Sequence, residues 1–486
     1  MKIFQKYFSI LLFFSLPIFI ANIYYIDDLG RATSGYTRWG VDGRPISDMI
    51  MIITNMSKHL SDTFPLPLII SLGLLSLGLM FFRNEFLDNR KDSELLPLAF
   101  LCNIYFVEIL SYRFDVLPIM FGVLTSFVFF ASLKYNKYIN LLSPILCVVV
   151  IFSTYQATIN IVLVLCVLES LRYIDNGICP KAILRIVALR IIQLGSGAII
   201  YLKAILPLTF NGEHNSSHPE MAANLIDDFT SNIKSYANFI DKTYLHGCGY
   251  IFLGLLFVIS LLSAIILAKQ YLNTTKSRLK YSVIVLALIG VMVSPILSMF
   301  SVLFLEKPLT SFSRVYIGIG GYFLLTISLL YYALKDSKAK AFLLLAAIPF
   351  LYATNNIYAY GNAIHSQSMI DKEVIREIKS STSNYDYNTL FIVFNGNSIK
   401  SPVLTNSIRK HPLFKYLIVD YFSNWYWPFR NMMFNGYAQL YPSKQSGIVA
   451  NSIADLCSFH IESSNQDFNL RIKDNIAIVD FKKTKC

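Results

Sequence analysis

Long apolar runs separated by short basic loops fill the first three-quarters of the chain. A membrane-crossing helix needs about 20 mainly apolar residues. Eleven stretches meet or approach that length, near 6–26, 65–82, 95–112, 115–133, 139–153, 155–171, 184–208, 249–268, 281–304, 314–334 and 341–359. The polar sequence Ser153-Thr154-Tyr155-Gln156 separates two short members of this set. They read either as two helices meeting at a polar break or as one broken helix, so the pattern predicts about 9–11 transmembrane helices. Beyond residue 360 the apolar runs shorten to strand length at Leu390–Phe394, Tyr416–Asp420 and Ile476–Phe481, with a helical piece at Asp371–Lys379. That pattern predicts a small α/β or α+β domain. The expected fold is a polytopic α-helical membrane protein, with a transmembrane bundle over 1–360 and a C-terminal domain over 361–486.

Composition agrees with this. Hydrophobic residues make up 55% and charged residues 15% of the 486 positions, and the mean hydropathy is +0.51. A soluble chain carries about 25% charged residues, so there is too little charge here to cover a soluble surface. Lys2 and Lys6 precede the first apolar run as in a signal peptide. Phe19, however, would occupy the minus-three position of a cleavage after Ala21, where a small residue is needed. The run is therefore expected to stay as a helix.

Orientation follows from basic residues in short loops. With the N-terminus cytoplasmic, the segments 1–6, 83–94, 133–140, 172–185, 269–280 and 335–340 are cytoplasmic and hold 17 of the 42 Lys and Arg residues. The long opposite-side loops 27–62 and 209–248 hold four and two. The net charge of +12 is thus mostly the topology rule and does not point to nucleic acid. An odd span count places 361–486 outside. The cytoplasmic loops are too short for a nucleotide-binding domain, and no GxxxxGK[ST] loop occurs, so the chemistry is expected at the outer face. In an oxidising compartment, a Cys457–Cys486 disulfide becomes available to the tail.

The first outer loop carries the densest candidate chemistry. Asp27 and Asp28 follow the first span directly, and a carboxylate at an apolar boundary suits a general base. Arg31, Arg38 and Arg44 follow among glycines, and Arg forks bind phosphate oxygens. Glu108 lies within an apolar stretch, where carboxylates are costly and point to function. It precedes Ser111-Tyr112-Arg113-Phe114-Asp115, so Arg113 and Asp115 join the candidates. Tyr155 and Gln156 occupy the polar break, and Arg314 begins a span on the outer side. The tail segment Tyr421–Arg430 is rich in aromatics, which suit either sugar stacking or a membrane interface. His214 and His218 are spaced His-x3-His, but Asn215, Ser216 and Ser217 favour a loop and no third ligand is fixed. No metal site is expected.

These features together resemble the phage-type serotype-converting O-antigen glucosyltransferases, the Gtr type II-like group. The resemblance rests on Asp27-Asp28 after the first span, Gly43-Arg44-Pro45, the Ser111 to Asp115 run, the Tyr155-Gln156 turn and the many-span layout with an external C-terminal domain. It implies a GT-C-type transferase of the bacterial inner membrane. The implied donor is undecaprenyl-phosphate glucose, the implied acceptor a sugar of the lipid-linked O-antigen repeat, and partner proteins would make and flip the donor. No cofactor is implied. Asp27 and Asp28 become the base candidates, unranked. Arg31, Arg44, Glu108, Arg113, Asp115, Tyr155, Gln156 and Arg314 are the expected substrate and phosphate contacts. Two other readings stay open: a flippase for a lipid-linked saccharide, and a polyprenyl-phosphate-dependent transferase of different sugar specificity.

Overall fold

The computed structural model describes residues 2–87, 91–131, 136–211, 224–244, 247–335, 337–386, 388–437 and 446–486. The first half of the chain forms α1 (Lys2–Ala21), α2 (Asp27–Ser34), α3 (Pro45–Asn55), α4 (Leu66–Phe86), α5 (Phe106–Ser111), α6 (Val116–Val128), α7 (Lys137–Thr154), α8 (Ile159–Asp175) and α9 (Pro180–Ile200). Then follow α10 (Leu206–Thr209), α11 (Leu225–Thr243), α12 (Gly249–Thr274), α13 (Lys280–Leu297), α14 (Gly318–Leu334) and α15 (Ala347–Ser381). The remainder is β1 (Phe391–Asn395), α16 (Pro402–Lys410), α17 (Phe414–Leu417), α18 (Tyr426–Phe434), α19 (Ser446–Ala454), β2 (His460–Ser464), β3 (Asn469–Lys473) and β4 (Ile476–Asp480). Among the described residues, eight helices are long and apolar enough to cross a membrane, and Val116–Val128 and Tyr138–Thr154 are shorter apolar helices. The protein is a multi-pass helical membrane protein with an α/β C-terminal domain.

One expected span is not a continuous helix. Residues 95–112 form a 3-10 stretch, Leu96–Cys102, followed by the six-residue α5. Pro97 lacks an amide hydrogen. Asn103, 1% exposed, accepts the Tyr105 N–H at 3.2 Å and donates to the Tyr316 carbonyl at 3.0 Å. Its side chain thereby competes with the helical ladder. The polar break at 153–156 separates two helices, α7 and α8, with a 3-10 turn at Gln156–Thr158 between them.

The chain divides into two compact units. The first comprises 1–16, 37–57 and 63–358. Its centre is α14, buried on nearly every side from Gly318 to Leu329. Close helix approach depends on missing side chains, as is usual where there is no water to drive packing. A Cβ on Gly197 would lie 2.5 Å from Val148 Cβ, and one on Gly320 would lie 2.7 Å from the Phe100 ring. Ile251, Leu255, Val258, Leu262 and Ile266 form one exposed apolar row on α12, at the spacing of a single helical face. Such a row suits lipid contact and would be a liability in water.

The second unit comprises 17–36, 58–62 and 359–486. Its four-stranded sheet has the order β1-β4-β3-β2. β1 and β4 pair in parallel, with Phe391 opposite Ile476, and the other pairs are antiparallel. Val374, Ile375 and Ile378 of α15 pack on one face against Ile392, Phe394, Leu470, Ile472 and Val479. The other face buries Val393 and Ile478 against Leu456 and Phe459. The residues of α15 from Asp371 onward therefore lie in a water-soluble core arrangement, outside the spanning segment. Two of the three expected strands form. Tyr416–Asp420 does not, since Phe414–Leu417 makes a helical turn instead. Buried charge in the sheet is paired: Arg471 Nε lies 3.6 Å from Asp480, which also accepts from Asn395 Nδ2 at 2.7 Å. A Cys457–Cys486 disulfide ties the last residue to the turn before β2.

Candidate active site

Asp27 and Asp28 open α2, and their environments differ. Asp28 is fully buried and its Oδ2 accepts the Tyr25 N–H at 3.1 Å, while its own N–H donates to the Tyr25 carbonyl at 2.9 Å. This pair of bonds folds Tyr25, the residue before the N-cap, back onto the first turn of α2. The Asp27 side chain is 27% exposed and lies 3.7 Å from Arg31 Nη1, one turn along. Arg31 is buried, with its guanidinium 5.6 Å from the centre of the Tyr36 ring. Burial pushes the Tyr36 phenol up to about 12, opposed by the Arg31 charge and reinforced by that of Asp27. The helix ends at Gly35, whose φ of 64° suits glycine and whose N–H returns to the Arg31 carbonyl at 2.8 Å.

The aromatic tail segment packs on this helix within the second unit. The Ile26 N–H donates to the Tyr421 hydroxyl at 3.0 Å, and Arg430 Nη1 donates to Ser34 Oγ at 3.2 Å. The Tyr24 and Phe434 rings are 4.3 Å apart. Trp425 is 46% exposed, while Phe422 and Phe429 are buried in the core. Nearby lies a carboxylate pair that sequence reasoning missed. Asp371 accepts from Gln367 Nε2 at 2.8 Å, and Gln367 Oε1 in turn accepts the Ser401 N–H at 2.8 Å. Burial raises the Asp371 carboxyl to about 7, against the Gln367 hydrogen bond and with help from the Asp420 charge. Asp420 is itself raised, again by burial first.

The other candidates belong to the first unit, where three groupings form. Glu108, 1% exposed, accepts both the Ser313 hydroxyl and the Arg314 N–H at 2.8 Å on one oxygen. The Arg314 guanidinium sits 4.8 Å from the Tyr112 ring centre. Asp115 accepts the indole N–H of the buried Trp39 at 2.7 Å, and the Trp39 and Gly40 amides are held by Asp48 at 3.0 and 2.6 Å. Arg44 pairs with Asp42 at 3.1 Å just before α3. The Gly43 carbonyl accepts from the Tyr201 hydroxyl at 2.9 Å, and Gln156 Nε2 donates to that same hydroxyl at 3.3 Å. Tyr201 thus links two motifs that the sequence left apart. Tyr155 is buried, and Arg113 lies 4.4 Å from the Phe64 ring centre.

Within the second unit a partly exposed carboxylate stands beside an arginine, and within the first unit Arg113 and Arg314 are each held over an aromatic face. The former fits proton removal, and the latter the handling of anionic groups. His214 and His218 lie outside the described residues. Among those described, no group of three or more His, Cys, Asp or Glu is placed to hold a metal ion.

A protein of Salmonella phage P22, described as "Uncharacterized 55.3 kDa protein in gtrB 5'region", is 26% identical to the chain over 431 residues, 85% of this chain and 86% of that protein. No solved structure matches the chain. Residues 16–327, well over half the chain, match the family described as Glucosyl transferase GtrII, and the protein belongs to that family.

Proposed function

We propose that the protein transfers glucose from undecaprenyl-phosphate glucose to a sugar of the lipid-linked O-antigen repeat. Membership of the glucosyltransferase family and the multi-pass helical fold support glycosyl transfer on lipid-linked sugars. The basic loops support a bacterial inner-membrane topology with a cytoplasmic N-terminus and a periplasmic C-terminal domain. Reaction then occurs at the periplasmic face, downstream of a donor synthase and a flippase.

Asp27 is the base in this reading. The observation that carries the choice is the contrast between the two carboxylates: Asp28 is fully buried and accepts the Tyr25 amide, whereas Asp27 is partly exposed beside Arg31. A sugar hydroxyl is a weak nucleophile and needs its proton removed during attack. The acceptor oxygen forms a bond to the anomeric carbon and its proton passes to the Asp27 carboxylate. The bond from that carbon to the phosphate oxygen breaks, and polyprenyl phosphate leaves with the electron pair. One displacement inverts the anomeric centre. Arg31, beside Asp27 in the same unit, is the cation available to the phosphate, in keeping with charge stabilisation at the leaving group. The exposed face of Trp425 is suited to stacking on an acceptor ring.

The test is expression in an O-antigen-bearing host that supplies the glucosyl lipid, followed by mass analysis of the polysaccharide. One added hexose per repeat is expected. An unmodified polysaccharide from well-expressed protein would refute the reading.

A further inference from the structure

The helix that carries Asp27 starts from an unusual backbone. Ile26, the residue before it, has φ 42° and ψ −100°. A β-branched residue at positive φ is a genuine outlier, and such geometry persists only where its surroundings hold it. Three interactions hold this one. The Ile26 side chain is buried at 6% exposure. The neighbouring Tyr25 N–H is taken by Asp28. The Ile26 N–H itself donates to the Tyr421 hydroxyl at 3.0 Å, from a residue 395 positions away.

Tyr421 is well placed for this task. Its neighbour Asp420 accepts the Phe422 N–H at 3.0 Å, and Phe422 is fully buried in the sheet core. The phenol is therefore held between two anchored residues. Burial raises its pKa well above the ordinary tyrosine value, and the charges of Asp371, Asp28 and Asp27 reinforce that shift. The group stays neutral at physiological pH, with a lone pair for the amide.

We propose that Tyr421 is a positioning residue: its hydroxyl fixes the Ile26 amide and thereby the direction in which the Asp27 carboxylate faces. The catalytic consequence rests on Asp27 acting as the base. The contact to Ile26 does not depend on that reading, so the two can fail separately. Misplacing a catalytic group by a fraction of an ångström lowers turnover without touching substrate affinity.

The experiment is Tyr421→Phe in the full-length chain, purified and reconstituted with polyprenyl-phosphate glucose and an O-antigen lipid. The expected result is a kcat per folded molecule lower by about ten- to a hundredfold, with KM for both lipids within about twofold. Hydrogen exchange over residues 24–28 should be faster in the variant, while exchange across β1, β3 and β4 stays unchanged. An unchanged kcat per folded molecule in an active enzyme overturns the proposal, as does unchanged exchange over 24–28 whatever the substrate. If the wild-type chain transfers no glucose but exchange still accelerates in Tyr421→Phe, the assigned reaction falls and the positioning contact stands.

Discussion

The carboxylate of Glu108 accepts the backbone N–H of Arg314 at 2.8 Å, joining residues 206 positions apart. The same oxygen takes the Ser313 hydroxyl. Glu108 thereby pins the start of the segment that leads into α14 and sets the backbone from which the Arg314 guanidinium extends over Tyr112. Removing a buried acceptor strands its donors at about 1–3 kcal/mol each. Glu108→Ala is expected to lower stability by roughly 2–6 kcal/mol. Glu108→Gln keeps an acceptor and should lose less. Thermal unfolding in detergent measures both, and equal losses would show that the hydrogen bonds do not matter.

Asp27 and Asp28 should respond differently to the same change. Asp27→Asn is expected to fold normally and to lose roughly 10²–10⁴-fold in transfer rate, the usual worth of a general base. Asp28→Ala strands the buried Tyr25 amide and should cost about 1–3 kcal/mol of stability. Turnover and melting temperature measured on the same preparations separate the two. Full glucosylation by Asp27→Asn would remove it as the base.

The second unit should lose stability as pH rises. The Asp371 carboxyl sits at about 7 when folded, above the ordinary value of 3.8, because burial disfavours its charged form. The folded state keeps a proton that the unfolded chain gives up. This contribution is therefore complete below about pH 4 and disappears as pH rises through about 7. Three pH units correspond to at most about 4 kcal/mol. Asp371→Asn should flatten the dependence and raise the unfolding temperature near pH 8 relative to the unchanged protein. A parallel pH profile for the two proteins would contradict this.

The Cys457–Cys486 disulfide closes a loop across 29 positions. Losing such a bond costs typically 2–4 kcal/mol. Cys457→Ser should lower the unfolding midpoint of the C-terminal domain, followed by hydrogen exchange at β2 and β3. The bond also reports on topology, since it persists only in an oxidising compartment. Maleimide labelling of whole cells should leave both thiols unmodified until a reductant is added. With a membrane-impermeant maleimide, no labelling of either thiol even after reduction would argue against an outward tail.

How much of this was legible in the sequence depends on how local each feature is. A run of apolar residues determines a spanning helix by itself, because the bilayer leaves the backbone no partner but its own chain. Hence α1, α4, α12 and α14 are readable from composition. The neighbouring positions of Asp27 and Asp28 at the end of the first span are equally plain. Their unequal roles are not, since nothing in the letters says which carboxylate folds back onto Tyr25. The failure of 95–112 as a helix turns on Asn103 finding the Tyr316 carbonyl 213 positions later. The strand expected at 416–420 lost to a helical turn because tertiary burial of Phe414 and Leu417 overrides a short apolar pattern. Tyr421, Tyr201 and Ser313 act through partners 395, 158 and 205 residues away. The sequence alone determined the membrane helices, the mixed helix-and-strand tail and the list of chemically able side chains, because those follow from local hydrophobicity and residue type. Only the tertiary structure decided which of those side chains meet, because a hydrogen bond needs its two groups within about 3 Å, and that distance is set by the packing of segments far apart in the chain.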